Sequence, residues 1–343
     1  MIVTSTFDTD SPEDAASLAA AIAQVDAQRI VKLAVFAKIA GDYDDGSRER
    51  ARGALDACVA ELGLGERTQV LAAVGCEGVA TPFGYVLAEI DGPGSAAPRL
   101  AMGFARVAAP IDEELDRGAL ADRVAECVRA AMRDAALAPA EVVMAFVKVP
   151  APLASRPGNE KVRGRRARGL AALGAGIALG DLDRGAVTEA AVGADASLYS
   201  ARVQPFAGPE VKRVEAIVLG NRPGAGGELV AHATVIGDLI DVGPVKRMLV
   251  GAGLALDADG ELDGRERIAA CFVKAGVAAD GRVRGARTTI YDSSIAPEKH
   301  MRAALSGAFG ALLGTTRVFI TGDPVHAAPE GGGNACALVR VPA

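Results

Sequence analysis

A short pattern occurs three times in this 343-residue chain and restricts what the chain can fold into. Residues 33–38, 143–148 and 269–274 are apolar runs that each end in Phe-x-Lys. Runs of this length and composition are typical of buried strands. Each run follows a segment whose apolar spacing predicts an amphipathic helix. These helical segments are residues 14–25, 117–136 and 245–253. Three copies in the same helix-then-strand context predict an internal repeat.

The similarity continues into a second helix after each of these strands. The three segments begin alike, with an arginine near the start, and run through small residues to a Leu-Gly pair. They are residues 50–63, 166–180 and 300–314. The glycine of each pair supplies a left-handed cap that ends a helix. Because a helix dipole favours anions at this end, an arginine here indicates a separate task, such as holding an anionic or carbonyl-rich ligand.

A third strand with a glycine turn and a closing strand complete each unit. The glycine turns contain Gly75, Gly208 and Gly322. Gly/Pro-rich stretches at residues 91–98 and 221–227 indicate the boundaries between units. We therefore predict an α/β protein of three like units related by a pseudo-threefold axis. The predicted units are residues 1–97, 98–227 and 228–343.

Composition and charge argue against a nucleic-acid partner. The chain has no Trp, only four Tyr, and a net charge of −6. Nucleic-acid binding needs exposed aromatic rings and positive charge, so no nucleic-acid partner is expected. One basic run is present, which we interpret as a solvated loop entering a helix. Its residues are Lys161, Arg163, Arg165, Arg166 and Arg168.

The cysteines and the apolar runs indicate a location in the cell. The five cysteines are odd in number and form no CxxC motif, which is typical of buried thiols in a reducing cytoplasm. The acidic N-terminus lacks the features of a signal peptide, and no apolar run reaches membrane-spanning length. We expect a cytoplasmic protein with no membrane partner.

The lysines allow two interpretations from the residues alone. A lysine at the end of a buried strand either reaches water with its amine or acts as a desolvated base. Three lysines close to one axis would lower one another's pKa, which favours the second interpretation. Arginines from the three second helices would then offer planar donors to carbonyl or carboxylate oxygens.

Several stretches, taken in order, resemble a known family. They include Ser11-Pro12-Glu13-Asp14, Val35-Phe36-Ala37-Lys38, Gly75-Cys76-Glu77-Gly78, Val273-Lys274-Ala275, Val283-Arg284-Gly285 and Gly331-Gly332-Gly333. Over nearly its whole length the chain is similar to the ring-opening amidohydrolases, which comprise cyanuric acid hydrolases and barbiturases. This resemblance implies three like domains in one chain, the Toblerone fold, and a homotetramer. It also implies three Ser-Lys pairs and three arginines around a cyclic amide, which a lysine-activated serine opens by hydrolysis.

The resemblance places the family's site on particular residues of this chain. The lysines are Lys38, Lys148 and Lys274, although the family lysine of the second unit falls two residues after Lys148, at Pro150. The arginines are Arg48, Arg168 and Arg302, whereas the internal repeat favours Arg52 over Arg48 in the first unit. Gly75, Gly208 and Gly322 would contact the substrate from the glycine turns.

The family serines are missing from the positions where they are expected. Ala73, Phe206 and Thr321 stand there instead. Thr321 is the remaining hydroxyl and would be a nucleophile beside Lys274, or else an ordinary strand residue. Other hydroxyls and two histidines stay open as substitutes, with His326 preferred to His232. These hydroxyls belong to Ser197, Ser200, Ser293 and Ser294.

Three functions remain open for such a site. The first is a hydrolase that opens a small cyclic amide or imide ring, with the three lysines and Thr321 as catalytic residues. The second is non-hydrolytic chemistry on the same fold, such as tautomerisation or cyclisation, because two hydroxyls are missing. The third is a non-catalytic binder of a small anionic ring. No metal and no cofactor are expected, and no GxGxxG motif opens a helix after a strand as a dinucleotide site requires.

Overall fold

A computed structural model describes residues 1–25, 27–42, 45–115, 117–151 and 160–341 of the chain. The strands are β1 (Ile2–Asp8), β2 (Ile30–Ile39), β3 (Thr68–Val74), β4 (Phe83–Ile90), β5 (Arg99–Ala108), β6 (Val142–Pro150), β7 (Val203–Gly208), β8 (Arg213–Arg222), β9 (Leu229–Ile236), β10 (Ala255–Leu256), β11 (Leu262–Asp263), β12 (Ile268–Ala275), β13 (Arg282–Val283), β14 (Ala286–Arg287), β15 (Phe319–Gly322) and β16 (Gly333–Arg340). The helices are α1 (Ala16–Ala23), α2 (Ser47–Glu61), α3 (Gly118–Ala135), α4 (Glu160–Leu179), α5 (Gly243–Gly251) and α6 (Pro297–Leu313).

Three four-stranded sheets share one strand order. The sheets read β1-β4-β2-β3, β5-β8-β6-β7 and β9-β16-β12-β15. In each, the first strand lies at one edge, the fourth and second follow, and the third lies at the other edge. The second and third strands are parallel, and the other pairs are antiparallel. Three α/β units of one topology in one chain confirm the predicted fold class, whereas the unit boundaries stay a prediction.

The second helix of each unit ends at the predicted glycine. Gly63, Gly180 and Gly314 have φ angles of 71°, 74° and 65°, in the left-handed region that glycine adopts without a steric penalty. The helix starts vary more than expected. Helix α4 begins at Glu160, so Arg168 lies about two turns inside it and not near its start.

The helices cover the outer face of each sheet and enclose three separate apolar cores, one for each unit. In the second unit, small residues let α3 and α4 approach closely. A Cβ built on Gly174 of α4 would lie only 2.3 Å from the carbonyl oxygen of Ala121 in α3. The abundance of Ala and Gly in these helices therefore has a packing reason.

The inner faces of the three sheets meet in a fourth apolar core that all three units share. Side chains alternate across a strand, so the Phe and the Lys of Phe-x-Lys both point to this inner face. The rings of Phe36, Phe146 and Phe272 form a nearly equilateral triangle, with centroid distances of 4.9, 4.8 and 4.8 Å. This triangle marks the pseudo-threefold axis, and each lysine lies two residues further along its strand.

Candidate active site

The three lysines are buried although each carries an amine. Lys38 is 0% exposed, and Lys148 and Lys274 are each 2% exposed. Each pairs in register with the neighbouring parallel strand at the position where the sequence lacks a family serine. The pairs are Lys38 with Ala73, Lys148 with Phe206, and Lys274 with Thr321. The repeat therefore includes the residue on the neighbouring strand that lies opposite each lysine.

Lys38 contacts the backbone of its own unit. Its Nζ donates a hydrogen bond to the carbonyl oxygen of Val74 at 2.8 Å. Burial lowers the pKa of this amine to about 8, and the positive charges of Arg302 and Lys148 add to the effect, while Cys76 and Glu77 oppose it. Because the pKa is close to neutral, both protonation states of Lys38 are accessible near physiological pH.

Lys148 reaches out of its own unit and also holds a carboxylate. Its Nζ donates to the carbonyl oxygen of Ala72, in the first unit, at 3.0 Å. It also forms an ion pair with Glu210, whose side chain is 1% exposed. Burial and Arg48 lower the pKa of Lys148, whereas Glu210 raises it. Lys148 lies in register with Phe206, and Pro150 lies in register with Gly208.

Lys274 is the amine that stands beside a hydroxyl. Its Nζ lies 3.5 Å from Oγ1 of Thr321 and donates to the carbonyl oxygen of Gly322 at 2.7 Å. Burial holds the pKa of Lys274 well below its usual range, and the cation Arg168 lowers it further. The ring of Phe206, centred 4.8 Å from Nζ, opposes this effect because a π-face favours the ammonium form. Complete burial is the largest of these effects, so the pKa of Lys274 stays well below that of an exposed lysine.

Three arginine–carboxylate pairs link the units in a cycle. Each arginine comes from the second helix of one unit and meets an acidic residue in the glycine turn of the next. The pairs are Arg48 with Glu210, Arg168 with Asp323, and Arg302 with Glu77. This arrangement distinguishes Arg48 from Arg52, which binds Glu215 and Asp56 instead. We call these three pairs the arginine relay.

The relay differs in geometry from pair to pair. Arg302 forms a two-pronged hydrogen bond with Glu77, with both distances 2.5 Å. Arg48 lies 3.9 Å from the Glu210 carboxylate and donates to the carbonyl oxygen of Ala207 at 3.1 Å. Asp323 takes the place of the glutamate in the third unit, with its backbone in the left-handed region at φ 55°, which Asp tolerates.

Sequence reasoning did not assign the acidic members of the relay to the site. Glu77 and Glu210 are visible in the sequence as the ends of two glycine turns, and Asp323 follows Gly322 directly. Each of these acidic residues follows its turn glycine by one or two residues, and this spacing was the signal in the sequence that could have identified them. Their arginine partners are between 155 and 225 residues away in the chain, so only the folded structure identifies the pairs.

The predicted glycines have different surroundings. A Cβ on Gly75 would lie 2.4 Å from Nε of Arg302, and a Cβ on Gly208 would lie 2.0 Å from Oε2 of Glu210. These two glycines therefore leave room for the relay. Gly322 has no such close neighbour, because a Cβ built on it would lie 4.0 Å from the carbonyl oxygen of Ala275. It lines the central cavity, whereas Gly75 and Gly208 are absent from the cavity wall formed by the described residues.

A cavity of about 680 Å³ opens beside this cluster. Of the predicted catalytic residues, Lys148, Lys274 and Thr321 line it, and Lys38 does not among the described residues. All three relay arginines line it as well. So do Ala73 and Phe206, the residues at the other two positions where a serine was expected. The cavity therefore brings together most of the residues that the sequence singled out.

The substitute hydroxyls and the histidines have other contacts. Ser197 binds Asp195, Ser200 binds Asp181, and Ser293 contacts His300. Within the described part of the chain, no serine lines the cavity. His326 does line it, but both of its ring nitrogens are engaged: Nδ1 with the carbonyl oxygen of Leu198, and Nε2 with the N–H of Gly193 at 2.7 Å. Burial lowers the pKa of His326, which favours the neutral ring that these two hydrogen bonds require.

The basic run is part of α4 and not a loop. Arg165 and Arg168 both bind Asp323, and Arg166 binds Glu189. The interpretation as a solvated loop was therefore wrong for Arg168, whose side chain is only 17% exposed and faces the cavity. The side chain of Lys161 lies outside the described residues.

Neither a metal-binding cluster nor a membrane-spanning helix is found in the part of the chain that the structure describes. No group of three or more His, Cys, Asp or Glu residues is placed there to hold a metal ion. No helix there is both long enough and apolar enough to cross a membrane. The chemical groups at the candidate site are buried amines, guanidinium groups, carboxylates and the hydroxyl of Thr321 on a strand.

Comparison with known proteins agrees with this architecture. The family model described as amidohydrolase ring-opening protein matches residues 4–340. A cyanuric acid amidohydrolase of Methylobacterium sp. (strain 4-46) is 36% identical, covering 96% of this chain and 94% of the relative. A cyclic amide hydrolase of Azorhizobium caulinodans is 31% identical, covering 96% and 97%. A solved cyanuric acid hydrolase structure superposes with a TM-score of 0.89 at 29% identity and 99% coverage of both chains.

The three-unit fold and its central buried amines define an α/β enzyme of the hydrolase class. More narrowly, the chain belongs to the amidohydrolase ring-opening protein family.

Proposed function

We propose that this enzyme hydrolyses a C–N bond of a small cyclic amide or imide in the cavity beside the pseudo-threefold axis. The observation that carries this proposal is the pair of Lys274 and Thr321, with Nζ and Oγ1 3.5 Å apart in the cavity wall. A hydroxyl beside an amine whose pKa is lowered by burial can be activated as a nucleophile, because the neutral amine accepts its proton. The names of the relatives, cyanuric acid amidohydrolase and cyclic amide hydrolase, support the same class of substrate.

The first half of the reaction forms an ester on Thr321. Oγ1 attacks a ring carbonyl carbon while the neutral Nζ of Lys274 accepts the hydroxyl proton. When the ring C–N bond breaks, the ammonium of Lys274 returns this proton to the departing nitrogen. The ring is then open, with its acyl carbon bound to Thr321 and its nitrogen protonated.

The second half consumes one water molecule. Water attacks the ester carbonyl and gives a proton to Lys274, which passes that proton to the departing Oγ1. The product leaves as an open-chain carboxylic acid, and both side chains regain their starting states. Lys148 and the relay arginines also line the cavity, where their positive charge favours the oxyanion that develops on the carbonyl.

One observation favours a second candidate function. Ala73 and Phe206 leave Lys38 and Lys148 without a hydroxyl opposite them. An amine that lines the cavity with no hydroxyl opposite it, such as that of Lys148, is suited to moving protons on a ring without cleaving it, as in tautomerisation or cyclisation. In that case Lys274 would exchange a proton with the ligand and Thr321 would only bind it.

Turnover in isotope-labelled water distinguishes the two candidates. The purified enzyme is incubated with cyanuric acid, barbituric acid, hydantoin and related imides in H₂¹⁸O, and the products are analysed by mass spectrometry. Hydrolysis predicts one ¹⁸O atom in the carboxylate of an opened ring. A product of unchanged mass, or no product from any of these rings together with activity on another ligand that Lys274→Ala leaves intact, would contradict the hydrolase proposal.

We also propose a homotetramer acting in the cytoplasm, as the family resemblance implies. All five cysteines are free thiols, which accords with a reducing compartment. Light scattering on the purified chain measures its mass directly, and a mass other than four times 34.8 kDa would contradict the tetramer.

A further inference from the structure

The three positions that face the lysines are chemically unequal. They hold the methyl of Ala73, the ring of Phe206 and the hydroxyl of Thr321, at equivalent register in three equivalent sheets. All three line the same cavity. A ring with threefold symmetry would present the same polar groups to all three positions. In this cavity, one of the three positions is polar and the other two are apolar.

The charged groups beside the lysines also differ from one unit to the next. Lys148 shares the buried carboxylate of Glu210 with Arg48 of the first unit, so a negative charge stands beside Lys148. Lys274 has its hydroxyl partner and a pKa well below the usual range. The ring of Phe206 lies between these two amines, 6.0 Å from Nζ of Lys148 and 4.8 Å from Nζ of Lys274. An aromatic wall therefore stands directly beside the reactive pair.

The cavity also has more room than one small ring requires. Its volume of about 680 Å³ lies in the middle of the range for pockets that enclose drug-sized ligands. Its wall includes further apolar side chains outside the lysine cluster, among them Val277, Tyr291 and Met301. Tyr291 is 46% exposed, so part of this apolar wall is open to solvent before a ligand binds.

We propose that the substrate is an asymmetric cyclic amide or imide that carries a hydrocarbon substituent, not an unsubstituted symmetric ring. Its scissile C–N bond faces Lys274 and Thr321, and the substituted side of the ring packs against Phe206 and Ala73. This inference rests on the proposed function for the orientation of the scissile bond. The preference for a substituent rests on the cavity wall alone and can be measured as binding.

The test compares rings that have the same polar groups and differ only in the substituent. Hydantoin, 5-isopropylhydantoin and 5-phenylhydantoin are titrated into the wild-type enzyme by calorimetry, and turnover of each is measured separately. Burial of several carbon atoms in an apolar pocket predicts a Kd for the substituted rings at least about tenfold lower than for hydantoin. Equal affinities, or tighter binding of hydantoin, would overturn the inference.

Variants of Phe206 show whether the preference comes from this wall. Phe206→Leu keeps an apolar surface and is expected to retain most of the preference, whereas Phe206→Ser is expected to reduce it to about twofold or less. A preference that persists in a folded Phe206→Ser variant would also overturn the inference. The wild-type comparison stands by itself if that variant does not fold. Preferential binding without ring opening would refute the proposed hydrolysis and leave the inference about the ligand intact.

Discussion

Lys274 and Thr321 stand in register on neighbouring parallel strands, with the amine nitrogen 3.5 Å from the hydroxyl oxygen. The strands β12 and β15 fix both backbones, so this pair is held by a sheet and not by loops. In the other two units the same register places Lys38 opposite Ala73 and Lys148 opposite Phe206. One of three pseudo-equivalent positions therefore has both an amine and a hydroxyl.

The first prediction concerns the hydroxyl of Thr321. Thr321→Val keeps the shape of the side chain and removes the nucleophile, so kcat is expected to fall by about a thousandfold or more with KM changed little. Thr321→Ser keeps a hydroxyl and is expected to retain activity within about tenfold of the wild type. Steady-state kinetics on the best ring substrate measure both. Full activity in a folded Thr321→Val variant would exclude Thr321 as the nucleophile.

The second prediction concerns the pH dependence of activity. The reaction needs neutral Lys274, so kcat/KM is expected to rise with pH and reach a plateau well below the ordinary lysine pKa of about 10.4. Arg168→Gln removes a positive neighbour and frees Asp323, and both changes raise the pKa of Lys274. The rising limb should therefore move to higher pH.

A matched control for the second prediction lies on the same helix. Arg166→Gln makes the same change in charge, but Arg166 binds Glu189 and is not among the groups with the largest effects on the pKa of Lys274. Its pH profile should match that of the wild type. Profiles that shift equally in both variants would show that the effect is one of net charge and not of the site.

The third prediction concerns the stability cost of burying Lys38. Its pKa is about 8 in the folded chain and about 10.5 when unfolded, so the unfolded chain binds more protons between these values. Stability should therefore rise with pH across this window, and the cost is fully present below pH 8. Lys38→Met removes the cost, and the free energy of unfolding at pH 7 is expected to rise by about 2 kcal/mol after loss of the bond to Val74.

Urea denaturation at several pH values tests this third prediction. The gain from Lys38→Met should shrink as the pH approaches about 10.5, because the wild-type amine is then neutral in both states. Lys212→Met, on an exposed lysine, serves as the control and should change the stability by less than about 0.5 kcal/mol at pH 7. A destabilised Lys38→Met variant at pH 7 would contradict the cost assigned to burial.

The fourth prediction concerns the carboxylate that two cations share. Glu210→Gln removes the buried carboxylate that forms an ion pair with Lys148 and lies 3.9 Å from Arg48, which is expected to destabilise the fold by about 3 kcal/mol. Glu13→Gln breaks the ion pair with Arg50, in which both side chains are 50% exposed, and should cost less than about 1 kcal/mol. Chemical denaturation of both variants gives the comparison. Similar small losses in both would mean that Glu210 is dispensable to the fold.

The fifth prediction concerns the glycine that makes room for the relay. Gly75→Ala introduces a methyl 2.4 Å from Nε of Arg302 at a φ of 96°, so we expect a loss of at least about 1 kcal/mol and a displaced Arg302–Glu77 pair. Gly53→Ala in the exposed face of α2 meets no atom within 4 Å and should stabilise the fold by up to about 1 kcal/mol. A lower Tm for Gly75→Ala together with a higher Tm for Gly53→Ala would support this assignment. Changes in Tm of the same sign in both variants would contradict it.

Much of the architecture could be predicted because the repeat samples the same pattern three times. The strands that carry Lys38, Lys148 and Lys274 lie where the apolar runs indicated, and the second helices end at the predicted Leu-Gly pairs. Helix starts were less predictable, as α4 shows. Asn159, which directly precedes Glu160, is a residue type that favours helix N-caps, but the likeness among the three units pointed to Arg166 as the start.

The amino-acid sequence by itself determined that three α/β units repeat, that each carries Phe-x-Lys near the end of a buried strand, and that only the third unit has a hydroxyl at the strand position that faces the lysine. These are local patterns, set by side-chain alternation and by glycine caps. Only the tertiary structure decided which partners the charged groups take. Arg302 meets Glu77 and Arg48 meets Glu210 across unit boundaries, because the closed arrangement of three sheets brings each helix to the turn of the next unit. The depth of burial that lowers the pKa of Lys274 likewise arises from packing around the axis, since desolvation depends on neighbours far away in the chain.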